Sequence, residues 1–316
     1  MGKPLLEYIS EALTADNTLP EDFKLPKNST DNEIRFADGA LDGITIYHSA
    51  FPVIEDQEKE EILNVLRTAE KEDYGNAAEG FSKILRSHRA IVLIDDIQSE
   101  ILAHTDELSV QKMVQFASIL ISTSEERELV KTGLIILELV DTSVDPELIK
   151  SIRTLGTSDE FTIFSVFIMR HWPNGQMEIL DLAKRVHGWG RIHCVYYLEP
   201  ENDEIRQWLM TDGTDNYVMP EYSALTVFRK TGMEEMLDRD DLSTEEVKQI
   251  LKVISSMLVE GPVEGLSAVG DPPGVLAKVI KASEKIPPDE EEQRIIDEVK
   301  VLSERMKPKT PGDLDI

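Results

Sequence analysis

The sequence predicts an all-α protein built from stacked helical hairpins. Apolar residues recur at the spacing of a helix face from Asp56 almost to the end of the 316-residue chain. Three successive helices share one pattern of acidic, apolar and glycine positions, as an internal repeat does. Charged residues make up 30% of the chain and aromatic residues only 6%, a balance that suits amphipathic helices better than a β-sandwich.

The first part of the chain, residues 1–55, is predicted to be an extension packed on the remainder. Residues 5–13 carry apolar side chains at helical spacing. Two short alternating runs follow, at 34–36 and 44–46, and between them residues 38–43 read DGALDG. The two glycines of this stretch can take the positive φ angles of a tight turn. We therefore expect a β-hairpin or an ordered loop here.

The repeat dominates residues 56–306, which we predict to form a helical-repeat solenoid, followed by a disordered tail at 307–316. One folded domain is expected overall. The repeated helices lie at 147–156, 178–188 and 204–213, with a period of about 26 to 31 residues. Each begins with a glutamate, which complements the helix dipole, and ends at a glycine, which can close the helix in a left-handed conformation. Single hairpins bury too little apolar surface to fold alone, so neighbours must stack.

Three segments resemble known proteins. Residues 189–200, WGRIHCVYYLEP, resemble the first helix of a HEAT unit, in which an arginine and small residues precede a leucine and a turn. FADGALDGITIYH at 36–48 and VHGWGRIH at 186–193 resemble an uncharacterised bacterial HEAT- or armadillo-like family, some members of which are labelled limonene hydroxylase. The resemblance implies an α-solenoid (an α-α superhelix) and brings no catalytic residues with it.

Charge and cysteine content restrict the partners. The chain has 61 acidic and 33 basic residues, a formal net charge of −28 at pH 7, which repels phosphate backbones, and we find no basic stripe to overcome it. Nucleic-acid binding is therefore not expected, whereas a basic protein partner is compatible. The single cysteine, Cys194, indicates a reducing compartment, and the absence of a signal-peptide pattern or a long apolar run predicts a cytoplasmic protein without membrane association.

The hydroxylase label demands a cofactor, because amino-acid side chains do not activate O₂ unaided. Cys194 is the one candidate for a thiolate-bound haem, but its apolar surroundings favour a small core residue. The sequence contains no G-x-G-x-x-G motif, which would indicate a flavin or nicotinamide site. It also contains no H-E-x-x-H zinc motif and no phosphate-binding loop. We therefore predict no cofactor, no metal site and no catalytic residue.

Five residues within one short segment form the main candidate binding site: His187, Trp189, Arg191, His193 and Tyr196. In one interpretation Trp189 and Tyr196 pack between repeats, while Arg191 is buried and paired with a carboxylate. In the other they bind a ligand or peptide, because Trp, Tyr and Arg are favoured at binding hot spots. The structural interpretation is favoured, above all for Arg191.

A second candidate site combines Asp42 in the glycine-rich turn with Tyr47 and His48. The leading functional hypothesis is a non-enzymatic scaffold whose helical-repeat groove binds a protein or peptide, in a specific version a basic one. The alternative is an enzyme consistent with the hydroxylase label, that is, a monooxygenase.

Overall fold

The computed structural model describes residues 2–26 and 36–306, and within these ranges it contains helices and connecting turns but no β-strand. The predicted all-α class is therefore confirmed. The chain divides after Tyr197 into two compact units. The predicted boundary at residue 55 stays a prediction, and the tail at 307–316 lies outside the described residues. Along the described ranges, no helix combines the length and apolarity needed to cross a bilayer.

The first unit contains eleven of the described helices, with two short 3₁₀ turns at Ala90–Val92 and Thr142–Val144. The helices are α1 Leu5–Ala12, α2 Ala40–His48, α3 Asp56–Glu70, α4 Tyr74–Ile84, α5 Ile94–Ala103, α6 Val110–Thr123, α7 Arg127–Leu137, α8 Pro146–Gly156, α9 Thr162–Met169, α10 Gly175–Ala183 and α11 Trp189–Tyr197.

Packing in the first unit follows two series. Consecutive helices pair, as in α3 with α4, α6 with α7, α8 with α9 and α10 with α11. In addition, α3, α5, α7, α9 and α11 contact one another in order, and α4, α6 and α8 do the same. Helix α7 is deeply enclosed, since every residue from Leu129 to Leu137 is buried. This helix forms the centre of the unit.

The expectation of a β-hairpin or an ordered loop is wrong for residues 40–48, because they form α2 instead. The first of the two expected strands lies mostly outside the described residues. Gly39 does have a positive φ of 77°, as the turn interpretation required, but it immediately precedes a helix rather than joining two strands. Gly43 lies inside that helix. Ile44 and Ile46, whose alternation suggested a strand, both lie within α2, where neither side chain is fully buried.

The second unit contains six described helices and a 3₁₀ turn at Leu266–Ala268. They are α12 Asp203–Asp212, α13 Glu221–Thr231, α14 Met233–Met236, α15 Thr244–Met257, α16 Pro272–Ser283 and α17 Glu290–Met306. Helix α15 contacts α12, α13, α16 and α17, so it forms the centre of this unit. Its start is fixed by a capping box, in which Ser243 and Glu246 bond each other's backbone N–H groups.

The three repeated helices exist, as α8, α10 and α12, but their predicted left-handed glycine caps are wrong. Gly156 is the last residue of α8, and Gly213 after α12 has a φ of −61°. Gly188 is likewise not among the described residues of positive φ. Space explains Gly156 better than conformation, since a Cβ there would lie 3.1 Å from the Cβ of Ser165 on the next helix.

Candidate functional site

The two predicted binding clusters meet in the first unit, where α2 packs on α11. The ring of Tyr47 lies 6.2 Å from that of Trp189 and 6.3 Å from that of His193, nearly parallel to the imidazole. Trp189 and His193 themselves lie 6.4 Å apart, centroid to centroid. The two sequence segments that carry the family resemblance are therefore in direct contact.

Glycines allow this contact. A Cβ at Gly43 would overlap the indole ring of Trp189, so α2 can approach α11 this closely only with glycine at that position. At Gly39 a Cβ would lie 2.5 Å from the backbone oxygen of Asp159, in addition to the strain of a positive φ. Residues 38–43, which suggested a turn, thus lead into and form the start of α2, and Gly43 leaves room there for the indole ring of Trp189.

An open cleft of about 570 Å³ lies beside this contact, between α2, the first 3₁₀ turn, α5, α9 and α11. This is the usual size of a ligand-binding cleft. Six of its lining residues have aromatic or imidazole rings: Tyr47, Phe51, Phe167, His193, Tyr196 and Tyr197. Phe51 and Tyr196 are each about half exposed, at 52% and 51%. Aromatic surface is therefore available to a ligand.

A polar group lines the same cleft. Glu138 Oε1 accepts a hydrogen bond of 2.8 Å from Arg170 Nη2, and its Oε2 accepts one of 2.9 Å from Gln98 Nε2. The Arg170 guanidinium also lies over the rings of Phe167 and Tyr197, 5.4 and 5.8 Å from their centroids. Each of these side chains is held in place by at least two neighbours.

His193 is the imidazole ring of the cleft wall. It is almost fully buried, and burial lowers its pKa to about 3. The imidazole is therefore neutral at physiological pH, with one nitrogen that donates and one that accepts. Burial also raises the pKa of Tyr197. Neither group contributes charge to the cleft near pH 7.

Beneath α2 lies a cluster of buried charges centred on Lys131 of α7. The lysine side chain is 0% exposed, and its Nζ lies 2.6 Å from Asp42 Oδ2, 2.8 Å from Glu128 Oε1 and 2.6 Å from Glu160 Oε1. Burial alone would lower the pKa of Lys131, but the three carboxylates raise it above its usual value. The ammonium group therefore stays charged.

Two arginines complete this charge cluster. Arg89 lies 2.7 Å from Asp42 and 3.2 Å from Glu128. Arg127 reaches Glu160 at 3.4 Å and also Asp38, just before α2, at 3.1 Å.

Glu160 accepts a further hydrogen bond, of 2.9 Å, from the N–H of Gly39. Burial alone would raise the pKa of Glu160, but Lys131 and Arg127 lower it. The cluster thus ties the start of α2 to α7 and to the turn before α9.

Asp159 lies next to this cluster, in the turn before α9, and its carboxyl faces the start of α11. Its Oδ1 accepts a hydrogen bond of 3.0 Å from the N–H of Gly190. The residue keeps partial exposure, but its carboxyl lies closely against Gly188 and Gly190, where a Cβ on either glycine would overlap one of the two carboxylate oxygens. Enclosure raises the pKa of Asp159 to about 7, in spite of the N–H groups of Gly190 and Gly188.

The predicted site residues have different surroundings. Arg191 is buried, as expected, and its Nε donates to the carbonyl oxygens of Ala183 at 3.1 Å and Val186 at 2.9 Å. Its predicted carboxylate partner stays a prediction. Asp42 is not a surface ligand group, because Lys131 and Arg89 bind its carboxylate.

The two remaining histidines of the predicted sites do not line the cleft. His187 is half-buried, and burial, followed by the nearby charge of Arg191, lowers its pKa. His48 is exposed at the end of α2, with its ring 6.5 Å from that of Tyr47. The expected sites therefore reduce to Tyr47, His193 and Tyr196 at the cleft, with Trp189 behind them.

Sequence reasoning missed the charge cluster and half of the cleft. Lys131 did carry a signal, since it is a lone lysine within the apolar run LVKTGLIIL of α7. Phe51, Phe167 and Arg170 carried none, because an aromatic or arginine in an amphipathic chain is ordinary. Within the described ranges, no three His, Cys, Asp or Glu side chains are grouped in a way that could hold a metal ion.

Comparison with known proteins identifies no relative: no family model, no curated protein and no solved structure matches the chain.

Proposed function

We propose that the protein is a binding module that receives a segment of a protein partner in the aromatic cleft. One observation carries this proposal: a ligand-sized cleft whose aromatic walls include the half-exposed rings of Phe51 and Tyr196. Aromatic side chains are enriched at protein interfaces, and tyrosine in particular is frequent among the residues that contribute most of the binding energy. The buried charges hold α2, which forms one wall, against α7 and the turn before α9, so this wall is in place before a partner binds.

The helix order supports a repeat scaffold of the HEAT or armadillo type as the frame of this cleft. In the first unit, one series of helices runs α3, α5, α7, α9, α11, and a second series runs α4, α6, α8. Two such layers of alternating helices are what stacked hairpins produce. The cleft opens on the first series, to which α5, α9 and α11 all belong.

The monooxygenase alternative finds no support at Cys194. Its side chain is 0% exposed, and burial raises the pKa of its thiol, so a thiolate is disfavoured. A haem ligand needs that thiolate and open space beside it. Cys194 therefore does not fit a haem site and instead packs as a core residue. A buried free thiol also agrees with the proposed cytoplasmic location.

The proposal is tested by selecting binders from a library of random, phage-displayed short peptides. Peptides enriched on the wild-type protein are then titrated against Tyr196→Ala and against Tyr217→Ala. Tyr217 is a matched control, because it is an exposed tyrosine that does not line the cleft. We expect Tyr196→Ala to weaken binding by about tenfold or more and Tyr217→Ala to leave it unchanged. Failure to enrich any peptide, or equal effects of the two variants, would refute the proposal.

A further inference from the structure

The cleft already holds one cation of the protein's own. Arg170 lies over two aromatic rings, those of Phe167 and Tyr197, while its guanidinium bonds Glu138. Aromatic faces attract cations through their quadrupole, and arginine is the cation most often found on them. Arg170 and the rings beneath it remain open to solvent on one side, since the Arg170 side chain is 40% exposed. The wall is therefore chemically suited to guanidinium groups.

A second carboxylate lines the cleft without such a partner. Asp95, on α5, is exposed, and it makes no ion pair with any residue that the structure describes. The neighbouring Asp96 differs, because it pairs with Lys59 at 3.4 Å. Arg170, the cation in the lining, is paired with Glu138, and His193 is neutral, so no unpaired positive charge in the lining opposes a cation at Asp95. The lining thus combines half-exposed rings with a carboxylate that has room for a positive partner.

Building on the proposed function, we infer that the cleft's preferred occupant is an arginine side chain of a basic peptide segment. The planar guanidinium would stack on the exposed ring of Phe51 or Tyr196, as Arg170 does on its own two rings, and would pair with Asp95. The chain's net charge of −28 favours the same partner, because it steers basic segments toward the protein and repels acidic ones. The rings alone would bind any apolar side chain, whereas the carboxylate of Asp95 would select a positively charged one.

The test compares two peptides that differ only in charge. One is a short fluorescent peptide with a central arginine between glycine and serine residues, and the other has citrulline, the neutral isostere, at that position. Fluorescence anisotropy at low salt should show the arginine peptide binding about tenfold more tightly. Its affinity should also fall as salt is added, since an ion pair at an open cleft is screened. Equal affinity of the two peptides would overturn the inference.

Substitutions inside and outside the cleft lining then show whether the peptide binds in the cleft. Asp95→Asn should abolish the preference for arginine over citrulline, whereas Tyr196→Ala should weaken both peptides. The matched controls are Asp106→Asn and Tyr217→Ala, two exposed residues outside the lining, and they should change neither affinity. A preference that survives in Asp95→Asn, or disappears equally in Asp106→Asn, would show that general acidity and not the cleft selects the arginine.

The outcomes also separate this inference from the proposed function. If citrulline and neutral aromatic peptides bind wild type as tightly as the arginine peptide and lose affinity in Tyr196→Ala, the cleft binds peptides but does not select a cation. If an otherwise identical peptide with glutamate binds best, Arg170 and not Asp95 decides specificity, and the inference is wrong. If no peptide depends on Tyr196, both the inference and the proposed function fail.

Discussion

The two units of the chain differ in whether they bury charged side chains. In the first, Lys131 is completely enclosed and bonded to three carboxylates, and Arg89 and Arg127 extend the cluster. In the second, ion pairs lie at the surface, as in Lys278 with Asp238 and Lys281 with Asp240. The second unit therefore has an ordinary apolar interior, whereas the first places charge where burial is costly.

This difference between the units shows which interactions keep α2 in its position. This helix buries only Ala40, Asp42 and Gly43, while Leu41 and Ile44 remain exposed. Helix α15 of the second unit, by contrast, buries a full apolar face. Apolar burial therefore stabilises α15, but it does little for α2, and directional bonds from the charge cluster define the position of α2. The cleft wall that carries Tyr47 depends on that position.

The largest expected effect is that of Lys131→Met. Removing the ammonium leaves Asp42 and Glu160 buried with fewer positive partners, so the free energy of unfolding should fall by about 3–5 kcal/mol. Urea denaturation followed by circular dichroism measures it. The matched control, Lys278→Met, removes a partly exposed lysine that pairs with Asp238 at the surface of the second unit, and it should leave the midpoint nearly unchanged. Equal losses in the two variants would mean that the buried and surface charges do not differ as described.

The next largest effect is expected for Arg191→Ala. The change leaves two buried carbonyl groups, those of Ala183 and Val186, without their donor and should cost about 2–4 kcal/mol. The thermal midpoint of this variant should fall clearly, while Arg294→Ala, at an exposed site on α17, should leave it unmoved. Wild-type stability in Arg191→Ala would show that the arginine has no structural role.

The smallest effects concern pH, and they oppose each other within the first unit. The folded-state pKa of Asp159 is raised from 3.8 to about 7, so its contribution to stability is present at low pH and is lost as the pH rises toward 7. The folded-state pKa of His193 is lowered from 6.5 to about 3, so its contribution is present above pH 6.5 and is lost as the pH falls.

Substitution should separate these two contributions. The unfolding free energy of Asp159→Asn minus that of wild type should be larger at pH 8 than at pH 5. The same difference for His193→Gln should be larger at pH 4.5 than at pH 7. Each difference is expected to be roughly 1–2 kcal/mol, measured by urea denaturation across the pH range. Stability curves that run parallel to the wild-type curve in both variants would show that neither group titrates as described.

The errors in predicting α2 and the glycine caps have one cause. Glycine was interpreted through its backbone freedom, which is correct only for Gly39. At Gly43, Gly156 and Gly190 the reason for glycine is a neighbouring group that a Cβ would meet: the ring of Trp189, the side chain of Ser165, and the carboxyl of Asp159. Those neighbours come from other helices, so no local pattern distinguishes a turn glycine from a packing glycine.

The sequence by itself determined the helical class and favoured the burial of Cys194 and Arg191, because each depends on period or residue type. Only the tertiary structure decided which predicted residues share a site. Tyr47 and His193 are far apart in the chain, and their contact depends on how α2 is held by Lys131 and Asp42. Buried ion pairs act between distant segments and leave no periodic trace, so the cleft emerges only from the folded chain.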